Sequence, residues 1–374
     1  MERSLELCRQ GGIVALLLPA KLLRSEYGAP LRAVLATAHL PLRIEDLSED
    51  GQRHFGADTF PAILIARRGP TSLHPSLPLR PGHRIELQIA PHPPSLLRHA
   101  DLAARPFDPW PLLPPELSAI AEAIAGCSAT VGDRFTPRMG IKTGANDLFV
   151  DPPETVAPNA PLLLGRDLAR PGSAPRRLLF AYDLQTALPL PAINEATAAY
   201  LHRHRDRLAK RSDLDPGGPP WLLGRVRPEL LGHRVAWPDI ARLLTATALP
   251  PVNAGGPLLL NTCYYLATAT NEEALTVACW LNTTPLRAAA RWQAERALSG
   301  YRRYNAAAIG RLPLPGSLLD RDRPLGRQFA ALAERAGSSP TPDDLDHADA
   351  LACQLLGLSP TQLAQLRKWL AGVA

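Results

Sequence analysis

The rhythm of apolar and polar positions changes several times along the chain, and each rhythm predicts an element. After Gly11-Gly12, the run IVALLLP (13–19) is apolar without interruption. Such a run suits a central strand buried on both faces of a parallel sheet. Residues 20–38 then place Leu22, Leu23, Leu31, Val34 and Leu35 at roughly helical spacing, with Gly28-Ala29-Pro30 interrupting them. LPLRIEDL (40–47) alternates as a strand does, and FPAILIARR (60–68) is a further strand. Strand, helix, strand and strand together read as the closing portion of an α/β sheet whose opening is missing.

Prolines crowd the stretch from Gly69 to Pro115, which reads as an irregular connector followed by a short amphipathic helix, Glu116 to Ala125. From about 131 to 315 strand-like pieces, Pro-x-Pro punctuation and at least two helices alternate. The tail is helical by pattern. Thr341-Pro342-Asp343-Asp344 and Ser359-Pro360-Thr361-Gln362 each offer a hydroxyl cap, a proline at the first helical position and an acid or amide at the third. No internal repeat of 20 to 50 residues is present. The organisation expected is 1–70, 71–130 as connector and linker helix, 131–315, and 316–374 as helical tail.

Composition sharpens this picture. With 374 residues, 46% hydrophobic and 20% charged, the chain can bury a core. Its formal charge is +6, yet residues 131–315 carry 22 bases against 15 acids, so the basic excess is concentrated there. Five cysteines make an odd count without a C-x-x-C pair, which argues against a zinc knuckle or a disulfide framework and fits a reducing cytoplasm. The apolar run 13–19 is too short to span a bilayer, and Glu2 and Glu6 precede it, unlike a signal peptide. A cytoplasmic protein without a membrane segment is expected.

The common signatures of ATP hydrolysis, dinucleotide redox and zinc proteolysis are absent: no G-x-x-x-x-G-K-[ST], G-x-G-x-x-G or H-E-x-x-H occurs. A PD-(D/E)xK nuclease needs a carboxylate two residues before a lysine, but Lys21, Lys142, Lys210 and Lys368 follow Pro19, Gly140, Leu208 and Leu366 at that spacing. His202 and His204 alternate with arginines and lack nearby ligand partners, so a solvated basic helix face is expected there and no metal.

GGIVALLLPAKLL, a helix ending in LRAVL, a strand and then HFGADTFPAILIARR follow one another in an order that resembles the last third of the catalytic domain of TaqI-like adenine-N6 DNA methyltransferases. Those enzymes also occur fused to nucleases as type IIG restriction enzymes. GDRFTPRMGIKTGANDLFV, LLLGRDLAR, YLHRHRDRLAKR, WLLGR, NTCYY, WLNTT and RLPLP are similar, in order, to the family's target-recognition region, and LDHADALACQLLGLSPTQL to its short closing helices. The resemblance implies an α/β partial Rossmann-like methyltransferase sheet, an α+β target-recognition domain and a short helical tail. It also implies a restriction-modification or related defence system.

The family binds S-adenosylmethionine with a Gly-rich turn and holds the target amine with an Asn/Asp/Ser-Pro-Pro-aromatic loop, and neither precedes Gly11. Asp151-Pro152-Pro153 is followed by Glu154, Gly218-Pro219-Pro220-Trp221 lacks the acceptor side chain, and Asp108-Pro109-Trp110 has one proline. Without that loop the adenine amine is not oriented for in-line attack. The chain is therefore expected to have no complete catalytic or cofactor site, to be inactive alone, and to work with a catalytic methyltransferase subunit that carries the cofactor. The alternative is a stand-alone DNA-binding remnant or structural protein without methyltransferase activity.

Phe55 matches the position of the family aromatic that packs against the flipped-out adenine; its other reading is a loop anchor on the sheet. For double-stranded DNA, Arg203, Arg207 and Arg211 fall at i, i+4 and i+8 of one expected helix face, which either tracks phosphates or is solvated surface. Arg291, Arg302 and Arg303 interleave with Tyr301 and neighbouring aromatics, a mixture suited to phosphate contact and stacking as well as to packing. Lys142, Thr143 and Asn146 lie in a Gly-bracketed polar turn that is either a structural hairpin or a source of phosphate and base-edge contacts. Gly165-Arg166-Asp167 reads as an internal Arg–carboxylate pair.

Overall fold

The computed structural model describes residues 1–47, 59–69, 84–89, 95–110, 113–168, 175–211, 217–337 and 340–373. They form two compact units. The first is Met1–Glu122 with Trp292–Arg303; the second is Ala123–Arg291 with Tyr304–Ala374.

The first unit is built on a five-stranded mixed sheet of β1 (Ile13–Pro19), β2 (Leu40–Asp46), β3 (Pro61–Arg67), β4 (Arg84–Ile89) and β5 (Ser95–Arg98), in the order β1-β3-β2-β4-β5. β3 is antiparallel to both β1, from Ile13↔Arg67 to Pro19↔Pro61, and β2, so β1 and β2 run parallel with β3 between them. The chain passes between those parallel strands through the helix Ala29–Ala38, which Pro30 starts at an early helical position. Leu35, Ala36, Ile44, Leu64, Ala66 and Ile85 form the centre of this unit's core. The buried Arg32 donates to the carbonyls of Leu22, Ser25, Phe107 and Asp108, closing the loops at one end.

Two expectations are corrected here. β1 is an edge strand of this sheet, not a central one. Its burial alternates, leaving Ile13 49% and Leu17 52% exposed. The stretch 71–130 is also more than a connector. β4 pairs parallel with β2, and β5 antiparallel with β4, extending the sheet. The prolines bound these short strands without entering their described rungs, so proline density concealed them.

The second unit has a four-stranded antiparallel sheet, ordered β11-β9-β13-β6, from β6 (Arg138–Met139), β9 (His233–Pro238), β11 (Thr247–Leu249) and β13 (Cys263–Thr268). A smaller sheet places β7 (Asn159–Leu163) between β8 (Arg176–Leu179), antiparallel, and β12 (Leu258–Leu259), parallel. The remaining short strands are β10 (Ile240–Ala241) here, and β14 (Glu295–Arg296) and β15 (Arg302–Arg303) in the first unit. Trp237 and Trp280 are wholly buried, and each indole N–H reaches a carbonyl, of Tyr304 and Pro313.

The tail supplies three helices, Pro324–Ala336, Pro342–Leu356 and Pro360–Val373. Thr341 and Asp344 form the capping box that the spacing predicts, and Gly357 closes the middle helix at φ 67. Asp349 ties the tail to the unit by accepting from the backbone N and Oγ1 of Thr284, both at 2.6 Å, and from Arg367 at 2.8 Å.

Candidate nucleic-acid interface

Three segments distant in sequence meet on the second unit. The first is the Gly-bracketed turn. Gly140 runs so close to Leu260 that a Cβ would lie 2.4 Å from its carbonyl oxygen, which explains the glycine. Lys142 exchanges both backbone hydrogen bonds with Gly224, at 3.0 and 2.8 Å. The buried Thr143 donates from Oγ1 to Asn146 Oδ1 at 2.5 Å and accepts from the Ala145 N–H at 3.1 Å, launching the helical turn Asn146–Phe149. Thr143 therefore shapes the turn, and its hydroxyl is not offered to a ligand. Asn146 is exposed beside it.

The second segment corrects the expectation of one straight helix. The helix Glu195–Arg203 ends at His204, and a separate turn covers Arg205–Leu208. The Asn194 side chain caps the first piece by accepting from Thr197 N, and Tyr200 OH donates to the Leu148 carbonyl, joining this segment to the first. Leu201 and Leu208 are buried as the spacing predicts. The break removes Arg203, Arg207 and Arg211 from a common face. Arg203 is exposed, Arg207 lies 3.5 Å from Asp147, and Arg211 turns back onto the protein.

Arg211 donates to the carbonyls of Leu222 and Pro220, both at 2.8 Å, and of Thr143 at 3.3 Å, while its guanidinium lies 5.3 Å from the Phe149 ring centroid. Burial lowers its pKa. It is a staple that joins the three segments, not a phosphate hand. Gly144, at φ +68, leaves room for its aliphatic stem, since a Cβ there would come within 3.0 Å of Arg211 Cγ and Cδ.

The third segment, Gly217–Glu229, carries two arginines that sequence reasoning missed. Tyr182 fixes it by donating to the Leu223 carbonyl and accepting from the Leu223 N–H. Beyond Gly224, Arg225 takes φ 66 and contacts Met139 Sδ, and both Arg225 and Arg227 are exposed. Alternating Gly224-Arg225-Val226-Arg227 was the available signal.

Together the stretches 138–147, 203–211 and 224–229 hold nine bases (Arg138, Lys142, Arg203, Arg205, Arg207, Lys210, Arg211, Arg225 and Arg227) against Asp147, Asp206 and Glu229. Each acid lies by one arginine: Asp147 by Arg207, Asp206 by Arg205, Glu229 by Arg138. Arg203, Lys210, Arg225 and Arg227 remain as an exposed cationic excess, the electrostatic character of a polyanion-binding surface.

The other expected contacts behave differently. Arg291 is buried and donates to the Arg242 carbonyl at 2.6 Å, and Arg302 is also buried, which corrects both as surface phosphate contacts. Desolvation of two long cationic side chains is met inside the protein instead. Arg303 is half-buried and Tyr301 exposed. Arg166 is largely exposed at 3.7 Å from Asp167, whose carboxylate accepts from Leu164 N, so the carboxylate is structural and the ion pair loose. Phe55 lies outside the described residues.

Asp151-Pro152-Pro153 does not offer the free acceptor that a target-amine loop needs. Asp151, in Asp151-Pro152-Pro153, accepts from Arg176 Nε at 2.6 Å and Arg177 N at 2.8 Å, so its carboxylate is committed within the fold. Among the described residues no three His, Cys, Asp or Glu side chains are grouped to hold a metal, and no helix is long and apolar enough to cross a membrane. Burial pushes the Cys263 and Cys279 thiols up to about 12, so neither is a nucleophile at neutral pH.

No protein-family model matches the chain, and no curated protein matches it. Among solved structures it is similar to the type IIL restriction-modification enzyme MmeI, determined in complex with DNA, with 11% identity and a TM-score of 0.61 over 98% of this chain and 50% of that one. It is also similar to the type IIG restriction endonuclease BpuSI, with 14% identity and a TM-score of 0.39 over 95% of this chain and 48% of that one. The chain spans about half the length of each. The likeness to MmeI is one of fold: a mixed α/β architecture with several sheets and helical segments.

Proposed function

We propose that the chain is the DNA-recognition part of an adenine-specific (N6) DNA methyltransferase of a restriction-modification or related defence system. In this reading residues 131–315 bind double-stranded DNA, and residues 1–70 dock onto a separate catalytic chain that holds S-adenosylmethionine. The observation that carries DNA binding is the convergence of three segments, stapled by Arg211, into one surface with exposed Arg203, Lys210, Arg225 and Arg227. The fold shared with a restriction-modification enzyme that was determined in complex with DNA adds support.

Docking is supported by β1. Among the described residues its outer side carries no paired strand, and its apolar side chains are part-exposed where edge strands ordinarily carry charge, proline or a bulge. The adenine specificity rests on the ordered sequence segments described above.

Two measurements test the reading. Duplex binding by fluorescence anisotropy across a salt series should show strong salt dependence and no requirement for S-adenosylmethionine. Coexpression with the product of the neighbouring reading frame should give a co-purifying complex that transfers methyl groups to adenine. Absence of duplex affinity at low salt would refute the first part; a folded chain that neither co-purifies nor supports transfer would refute the second.

A further inference from the structure

The hairpin β14–β15 has a tip unlike an ordinary solvent turn. Glu295 pairs with Arg303 and Arg296 with Arg302; then the Ala297 N–H donates to the Tyr301 carbonyl, and the Tyr301 N–H to the Leu298 carbonyl. Ser299 (φ 56, ψ 38) and Gly300 (φ 79) both occupy the left-handed region, the geometry of a two-residue type I′ turn. Leu298 and Tyr301 flank that turn directly. They are 49% and 39% exposed, an aliphatic and an aromatic side chain at the end of a short ribbon.

The base of the ribbon is held at a particular end of the first sheet. Glu295 is 3.4 Å from Lys21, two residues past the end of β1, and Arg296 lies 6.0 Å from the ring centroid of Phe60, just before β3. Asp46, the last residue of β2, is paired with Arg24 at 3.0 Å. This is the carboxyl end of the parallel strands β1 and β2, the end at which open α/β sheets meet their ligands. The ribbon also places Arg296 directly opposite Arg302, a like-charge pair that disfavours the ladder. Burial first and the Arg302 charge second bring Arg296 down to about 9.

We propose that the Leu298–Tyr301 tip is a wedge that enters a groove of duplex DNA and unstacks a base step, with Leu298 filling the opened step and Tyr301 covering an exposed base face. Leucine is a known wedge between base steps, and tyrosine covers an unstacked base. The inference rests on the proposed DNA-binding reading and adds to it a device that would help expose a base.

The test uses the full chain and duplexes bearing 2-aminopurine at successive positions, with binding followed in parallel by anisotropy. The wild type should bind and brighten the probe at one or two adjacent positions. Leu298→Ala should cut that brightening about tenfold, the scale set by losing burial of the leucine side chain. Its salt dependence of binding should be unchanged, and Leu298→Phe should restore the signal. Because Leu298 is exposed, thermal melting of the variants should match the wild type. Binding without brightening, or brightening indifferent to Leu298→Ala and Tyr301→Ala, overturns the wedge while leaving DNA binding intact. No duplex binding by the wild type overturns both.

Discussion

Neutralising the exposed arginines of the second unit separates a DNA surface from an ordinary charged one. Arg203, Arg225 and Arg227 are exposed and belong to two of the segments held together by Arg211. The variant Arg203→Gln/Arg225→Gln/Arg227→Gln removes three charges while keeping polar side chains of similar reach. If each guanidinium meets one phosphate, the slope of log K against log salt becomes shallower by about 2.7, because each phosphate contact contributes about 0.9. Carried to an ionic strength near 0.15 M, the same relation gives roughly a hundredfold weaker binding. The assay is anisotropy on two unrelated duplexes at four or more salt concentrations, with melting temperatures as a fold control. Equal slopes for wild type and variant, with binding retained, would refute the assignment of this face.

Three further outcomes follow from other parts of the molecule. Arg211→Ala should destabilise the second unit by about 2 to 4 kcal/mol, since it abandons four carbonyls and a ring face, and calorimetry should place its melting below that of Arg203→Gln. Leu17→Lys should leave folding stability within about 0.5 kcal/mol, because Leu17 is exposed, yet it should weaken the proposed association through the β1 edge; unaltered complex formation in sedimentation runs with the proposed catalytic partner would count against that edge. Arg335 and Thr341 hold the Asp344 carboxyl down to about 2, against about 4 in an unfolded chain. Its contribution is therefore complete above pH 4 and lost as pH falls through 2, so melting curves at pH 5, 3 and 2 should fall less steeply for Asp344→Asn than for the wild type.

Much of the local structure was readable because single residues announce it. The strands at 13–19 and 61–67 follow from their apolar runs, that at 40–46 from its alternation, and the tail caps at Thr341 and Ser359 from spacing alone. What the pattern concealed was tertiary. The apolar density of IVALLLP measures what the strand can bury, not what this chain buries against it, so β1 reads as central and lies at an edge. The i, i+4, i+8 arginine pattern is helical, but the helix ends at His204 and Arg211 turns back onto the Leu222 carbonyl. Arg291 and Arg302 look like phosphate hands because the sequence cannot tell an arginine facing solvent from one buried in the protein, as Arg291 is against the Arg242 carbonyl.

That distinction governs how the arginine richness of the chain is to be understood. Arg32, Arg211, Arg234 and Arg291 each send guanidinium N–H groups to backbone carbonyls, stapling loops that lack regular partners. A planar fork can satisfy several carbonyls at once, which a lysine ammonium on its flexible stem does less well. Proline removes backbone donors from the loops and leaves carbonyls in need of partners; a chain with 40 prolines and only four lysines meets that need with arginine. The bases that such staples consume are subtracted from any ligand surface. The net charge of residues 131–315 is therefore a poor guide to their face, and the small set that stays exposed around Gly224 and Arg203 is where the proposed DNA binding would meet a polyanion.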